Sequence, residues 1–410
     1  MRRSAAALAG LALVSAAPTA VHAADVFSAT VTISGPVVNQ TATRGFTTAQ
    51  QAIDQFRTSQ LQSLIPSYSN TSIASGVVNF RGVTVNAAYA TTGTALSFSV
   101  PAAGVNEVFT GATRDASQQL LVDFLKKNDN YGRILRALIR SSPVEPLAGN
   151  PSSLMSLMVG NGFSSAFSTA SGVGGPAINP GSRIGVGLNY GHFSQSNLAI
   201  DALTLPLSYA IRFEADPRYK LVFDLPLTYV NVQGASAAAA SFGVGLTIPL
   251  TDQWNITPRV AYGVTGSLDL ASVGSLVTGS VTSAYRIRIG DYWLVVGNMV
   301  GHANSLPIAI GSFSVDPKLS NTYIKNGIML AIPSAKLGLS EGMLAETELQ
   351  VFVTDTRFFG SRLYEENMQE VGFSFGTTRS STLGQSLKMG VSYLHGRRSN
   401  GFTLNFGFRF

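Results

Sequence analysis

The chain contains no cysteine, which rules out a disulfide framework and a lipoprotein anchor. Charge is also scarce. Asp, Glu, Lys and Arg make up 12% of the 410 residues, about half the share of an ordinary soluble domain. The formal charge of +6 falls to +4 once Arg2 and Arg3 are set aside, too mild and too dispersed for a nucleic-acid-binding surface. Only four His occur, and they are scattered. With no cysteine, no phosphate loop and no nucleotide fingerprint, no metal or other cofactor is expected. Gly172-Val173-Gly174-Gly175 lacks the Lys and the helix that a phosphate-binding turn needs. Past the N-terminus no run of 18 apolar residues appears, so membrane-spanning helices are excluded.

Apolar residues are nevertheless abundant, and mean hydropathy is positive. Apolar residues that are numerous but never contiguous suit a membrane barrel, whose strands alternate lipid-facing and lumen-facing positions. The N-terminus reads as a secretory signal peptide over 1–23. Arg2 and Arg3 form its basic start, Ala5 to Ala17 its apolar centre, and Val21-His22-Ala23 its cleavage site.

Residues 24–150 read as a small soluble α+β domain, placed in the periplasm. Ala49, Ala52, Ile53, Phe56, Leu61 and Leu64 recur at helical spacing behind the cap candidates Thr47 and Thr48. A meander follows through Val78 and Phe80, Val83 to Tyr89, and Leu96 to Val100. Leu120 to Ile139 carries a second helical pattern, divided near Asn128-Asp129-Asn130. Residues 151–181 are Ser- and Gly-rich, with a short apolar helix candidate at Leu154, Met155, Leu157 and Met158. That segment either packs as a linker on the first domain or enters a barrel lumen as a plug.

From residue 182 the period is two. Ile184, Val186, Leu188 and Tyr190 oppose Gly185, Gly187 and Asn189; Leu221 to Tyr229 oppose Lys220, Asp224 and Thr228. The pattern continues to the C-terminus and predicts about twelve strands, an even number as a single-chain bacterial barrel requires. The fold class is therefore an all-β transmembrane antiparallel barrel preceded by a small α+β domain. Long loops are expected at 303–321 and 355–367, on the outer side if both barrel termini are periplasmic. Pro206, Pro226 and Pro249 fall inside predicted strands, where each costs a ladder hydrogen bond.

The last ten residues carry the most specific signal. Phe402, Leu404, Phe406, Phe408 and Phe410 share one parity, and Thr403, Asn405, Gly407 and Arg409 the other. This strand resembles the C-terminal assembly signal of bacterial outer-membrane barrels, which implies the barrel-assembly machinery, outer-membrane lipid and lipopolysaccharide as partners. The layout resembles the autotransporter family, in which the C-terminal barrel inserts in the outer membrane and an upstream segment passes through its lumen. The first region lacks the repetitive β-helix of many passengers, so a solitary autotransporter-like barrel is the closer comparison.

Parity turns Arg183, Arg212, Lys220, Arg259, Arg286, Arg288, Lys325, Lys388 and Arg409 toward the lumen, against Asp224, Glu346 and Glu348. Nine positive charges facing three negative ones predict a narrow pore favouring anions, or a translocator. The competing expectation is that these charges pair with one another, with the linker, or with lipopolysaccharide phosphates at the rims. A closed barrel anchoring a domain that binds a periplasmic protein is the alternative function. No enzyme is expected. A remote alternative comes from outer-membrane lipases and lipid A deacylases, which place a His and a Ser two residues apart on the lipid face. His192 and Ser194 share that spacing, but Gln195 stands where those families have Asn, and no orienting acid is identifiable.

Overall fold

Twelve long alternating segments cannot leave an open edge in lipid, because every backbone polar group there must be paired within the protein. In a computed structural model they close on themselves. The structure describes residues 25–34, 39–126, 128–170, 181–310, 313–338, 347–377 and 386–409. The expected signal peptide, Glu346 and Phe410 lie outside them, as does the side chain of Arg409.

The N-terminal part holds β1 (Phe27–Ser34), β2 (Asn39–Phe46), α1 (Ala49–Asp54), α2 (Thr58–Leu64), β3 (Ile73–Phe80), β4 (Val83–Tyr89), β5 (Leu96–Val100), β6 (Val105–Phe109), α3 (Arg114–Leu125) and α4 (Asn128–Ser141). Its six strands form one sheet in the order β2-β1-β3-β4-β5-β6. Thr48 caps α1, its hydroxyl accepting from the Gln51 amide at 3.3 Å. The helical pattern of 49–64 is broken into two short helices, and the longer one divides between α3 and α4 as its Asn-rich centre predicts.

α5 (Leu154–Ala170) leads to the barrel strands β7 (Gly181–Gln195), β8 (Leu198–Arg212), β9 (Lys220–Val232), β10 (Ala235–Pro249), β11 (Trp254–Ser267), β12 (Ser272–Ile289) and β13 (Tyr292–Leu306). A small hairpin follows, β14 (Ile308–Ile310) with β15 (Phe313–Val315). The wall resumes with β16 (Ser320–Pro333), β17 (Thr347–Gly360), β18 (Asn367–Thr377), β19 (Ser386–Gly396) and β20 (Ser399–Arg409). The twelve wall strands are antiparallel to their neighbours, and β20 pairs with β7 to complete a closed barrel.

Parity is kept around the wall. Leu203, Leu225, Phe242, Val260, Val281, Ile328, Val353 and Phe373 are all exposed on the outside, giving a continuous apolar belt. Phe402, Leu404 and Phe406 of the terminal strand belong to it. Pro206 and Pro226 face each other across β8 and β9 on the inner side, and regular pairing of β7 with β8 lapses beside them. Gly187 makes room for this, since a Cβ there would sit 2.9 Å from the Pro206 ring.

The barrel has two distinct ends. One carries the start of β7 and the finish of β20. The other carries the turns around 196–197, 233–234, 268–271, 361–366 and 397–398, and the connection from β13 to β16. The N-terminal domain rests on the second end. Phe27, Ala49 and Ala52 share a core with Leu198, Ile200, Val232, Ala235 and Leu270. The Ala49 amide donates to the Asp269 carbonyl at 2.7 Å, and Arg136 donates to the Pro317 carbonyl at 3.1 Å. The expected arrangement, with domain and barrel termini on the same side, is therefore not what the structure shows. Turn length does not distinguish the ends, because 334–346 and 378–385 connect strands at the terminal end.

Depth in the apolar belt sets the first prediction. Val260 is 64% exposed on the outer face, whereas Asn304 lies outward near the domain end of β13. Val260→Arg is expected to cost about 2–4 kcal/mol of stability in lipid vesicles, and Asn304→Arg about 0–1 kcal/mol. Equal shifts in reversible urea unfolding would contradict this placement of the belt.

Candidate functional site

An inner wall that included only polar side chains would favour a water-filled channel. Here β11 to β17 turn Ala261, Leu276, Ala284, Val295, Met299, Met329 and Phe358 inward, and all are buried. Such a wall must be covered, and α5 covers it. Met155, Met158, Val159, Phe163 and Phe167 join those residues in a single apolar cluster. Wall glycines admit the helix. A Cβ at Gly263 would lie 2.9 Å from both Leu154 and Met158, and one at Gly297 would lie 2.5 Å from Phe167. Leu147 meets Gly274 near the domain end, while Phe163 and Phe167 reach Gly297, deeper along the wall. The helix therefore runs down the lumen from the domain toward the terminal end. Of the segment 151–181, α5 therefore lies against the inner wall, and residues 171–180 fall outside the described residues.

The joint above α5 is equally filled. Residues 142–155 are all buried. Within them, the fully buried Glu145 accepts from Arg81 Nη1 at 2.6 Å and from Ser272 Oγ at 2.5 Å. One carboxylate thus links the domain, the plug loop and the wall. Arg81 also lies over the Phe80 ring at 5.4 Å, but its Nε and Nη2 find no acceptor. Beside this pair the Tyr131 hydroxyl donates to the Ala271 carbonyl, and burial pushes its pKa up to about 12. On the barrel side, the Tyr364 and Glu365 amides donate to the Ile139 and Gly149 carbonyls, each at 2.9 Å.

The basic residues expected to line a pore are mostly occupied. Arg259 pairs with Asp224 at 2.6 Å and packs against α5 at Gly162. Lys325 lies 3.9 Å from Glu370 and 5.5 Å from the Phe163 ring centre. Lys388 donates to Gln350, which also bonds Glu348. Near the terminal end Arg286 donates to the Asp252 carbonyl and Arg288 to the Gly290 carbonyl, both guanidinium groups lying over Trp293. Arg212 donates to the Pro217 carbonyl at 2.9 Å. Lys220 is buried and Arg183 is exposed. Glu370, an inward acid on β18, was absent from the sequence-derived set. Its even parity matches Gly372 and Ser374 and was readable. These charges form no open row facing a channel.

On the outer face at the domain end, His192 and Ser194 share outward parity, as expected. The structure supplies what sequence reasoning missed. Asp201, opposite His192 on β8, accepts from His192 Nδ1 at 2.8 Å and from the Tyr190 hydroxyl at 2.6 Å. Asp201 lies seven positions after Ser194, so only the register of the hairpin shows that the acid meets the imidazole. His395 sits across from Asn400 at the β19–β20 hairpin. No cluster of metal-binding side chains occurs among the described residues.

No family model matches the chain, and no curated relative does. Among solved structures it is similar to the β domain of the Bordetella autotransporter BrkA. That match has 13% identity and a TM-score of 0.45, and covers 56% of this chain and 99% of that one. The translocator domain of the autotransporter NalP from Neisseria meningitidis matches at 13% identity and TM-score 0.46, covering 62% and 95%. An outer-membrane channel from Pseudomonas putida F1 matches at 14% and 0.41, covering 57% and 96%. At these levels the likenesses carry no argument about activity, and the closed barrel stands on its own strand register.

The buried joint makes the second prediction. Glu145→Ala leaves the Arg81 guanidinium buried without a counter-ion and is expected to cost about 3–5 kcal/mol. Combining it with Arg81→Met is expected to restore most of that loss, since no charge is then stranded. A double variant no more stable than Glu145→Ala, in denaturant melts, would refute the pairing.

Proposed function

We propose that this chain is an outer-membrane barrel of autotransporter-like layout that keeps its lumen shut with its own helix and displays its α+β domain at the cell-surface end. The observation that carries this reading is the path of α5. The helix connects a domain seated on one end of the barrel to a wall whose first and last strands open at the other. A C-terminal strand with the features of an assembly signal is taken to finish on the periplasmic side, and the domain then lies outside. The apolar belt supports residence in a bilayer. The filled lumen and its paired charges favour an anchor over an anion-conducting pore.

The test uses an epitope inserted at Thr92, in the exposed turn 91–93, with the full chain expressed in a Gram-negative host. Antibody labelling of intact cells is expected to equal labelling after the outer membrane is permeabilised. Labelling that requires permeabilisation would return the domain to the periplasm and overturn the reading.

A further inference from the structure

The outer face of the barrel carries a group of polar side chains that anchoring does not use. His192, Asp201 and Tyr190 form a hydrogen-bonded set facing away from the lumen, each only partly buried. A hydrogen-bonded imidazole and carboxylate on the lipid-facing parity of a barrel wall are a candidate functional position. We propose that this set is the catalytic apparatus of a serine hydrolase acting on fatty-acyl esters of membrane lipids, with Ser194 as nucleophile.

The roles follow from geometry. Asp201 accepts from the Nδ1–H of His192, which fixes the tautomer and leaves Nε2 as the basic nitrogen. Tyr190 donates to the same carboxylate oxygen and holds it in place. The Phe402 ring lies 5.6 Å from the imidazole and walls its other side. Ser194 stands two residues further along β7 on the same face, exposed, about 6.6 Å along the strand from His192. In this proposal the pair closes on a bound ester, since catalytic hydrogen bonds tighten once substrate is in place. Asn400 is exposed directly across from Ser194 on β20, and in this proposal its side-chain amide is the oxyanion donor. Tyr190 and Phe402 are aromatic residues of the interfacial kind, on strands β7 and β20 near the domain end of the wall.

The chemistry balances with water as the only co-reactant. Ser194 Oγ attacks the carbonyl carbon while His192 Nε2 takes its proton. The ester C–O bond breaks, and the departing alkoxide takes that proton from His192. Water, deprotonated by His192, then attacks the acyl-serine. The fatty acid leaves and Ser194 recovers its proton. Ser194 and His192 are the catalytic residues, and Asp201 is a positioning residue.

The experiment uses the full-length protein in mixed micelles, with diacyl phospholipid in one arm and lipopolysaccharide in the other. A fluorophosphonate probe reports the nucleophile, and heat-modifiable migration confirms folding. Fatty acid is expected to be released in at least one arm, and the arm identifies the source of the ester. Ser194→Ala and His192→Ala are expected to abolish both release and labelling. Asp201→Asn is expected to lower kcat by about 10²–10⁴-fold with a changed pH profile, and Asp201→Glu to restore part of it. Thr322→Ala, outward on β16, is expected to change nothing. Labelling or turnover that survives Ser194→Ala overturns the proposal, as does absence of labelling in the folded wild type. Labelling without lipid turnover in either arm overturns the substrate class. Micelles present esters to both rims, so the outcome is independent of which end faces the cell exterior.

Discussion

The fold depends on one constraint. A closed barrel has an inside, and a sector of this one is apolar. Ala261, Leu276, Val295, Met299 and Met329 face inward and would meet water if the lumen were empty. At about 25 cal/mol per Å² of apolar surface, leaving such a wall wet is unfavourable, and filling it is the simplest remedy. α5 does this with Met and Phe side chains set into positions where the wall has only glycine. The loop before it must then be buried as well, which explains why 142–155 carries its own polar partners. Asn150 Oδ1 accepts from the Ser152 amide and hydroxyl, and Glu145 takes Arg81 and Ser272.

Much of this was legible in the sequence because period two is a local signal. The alternation of Leu221 to Tyr229, or of Phe402 to Phe408, gives strand, face and solvent in one reading, and twelve such segments close in register. The helix in the lumen was legible as one of two alternatives, because Leu154, Met155 and Met158 are too apolar for a free linker. Other elements were less readable. β2 (Asn39–Phe46) is polar on both faces and largely exposed, so it has no hydrophobic period. β1 does alternate Phe27, Ala29, Val31 and Ile33, yet it pairs with β3 across both short helices, a long-range choice that no local pattern encodes.

Charges show the limit most clearly. Parity turned Arg259 and Lys325 inward, but it says nothing of partners. Asp224 lies 35 residues before Arg259 and Glu370 lies 45 after Lys325, and only the register of several strands brings them together. The same holds for Asp201. His192 and Ser194 were visible as a spacing, but the acid that orients the imidazole comes from the next strand. A basic inventory therefore suggested an anion path, while the pairings of Arg259 and Lys325 are a property of the closed wall.

The most direct measurement is a cross-link between plug and wall. The chain has no native cysteine, so Leu154→Cys combined with Gly263→Cys introduces the only two thiols. In folded protein in native membranes, mild oxidation or a short bifunctional maleimide is expected to join them, giving a looped chain of altered mobility on denaturing gels. If both thiols are instead freely alkylated from the aqueous phase and no link forms, the helix does not occupy the lumen.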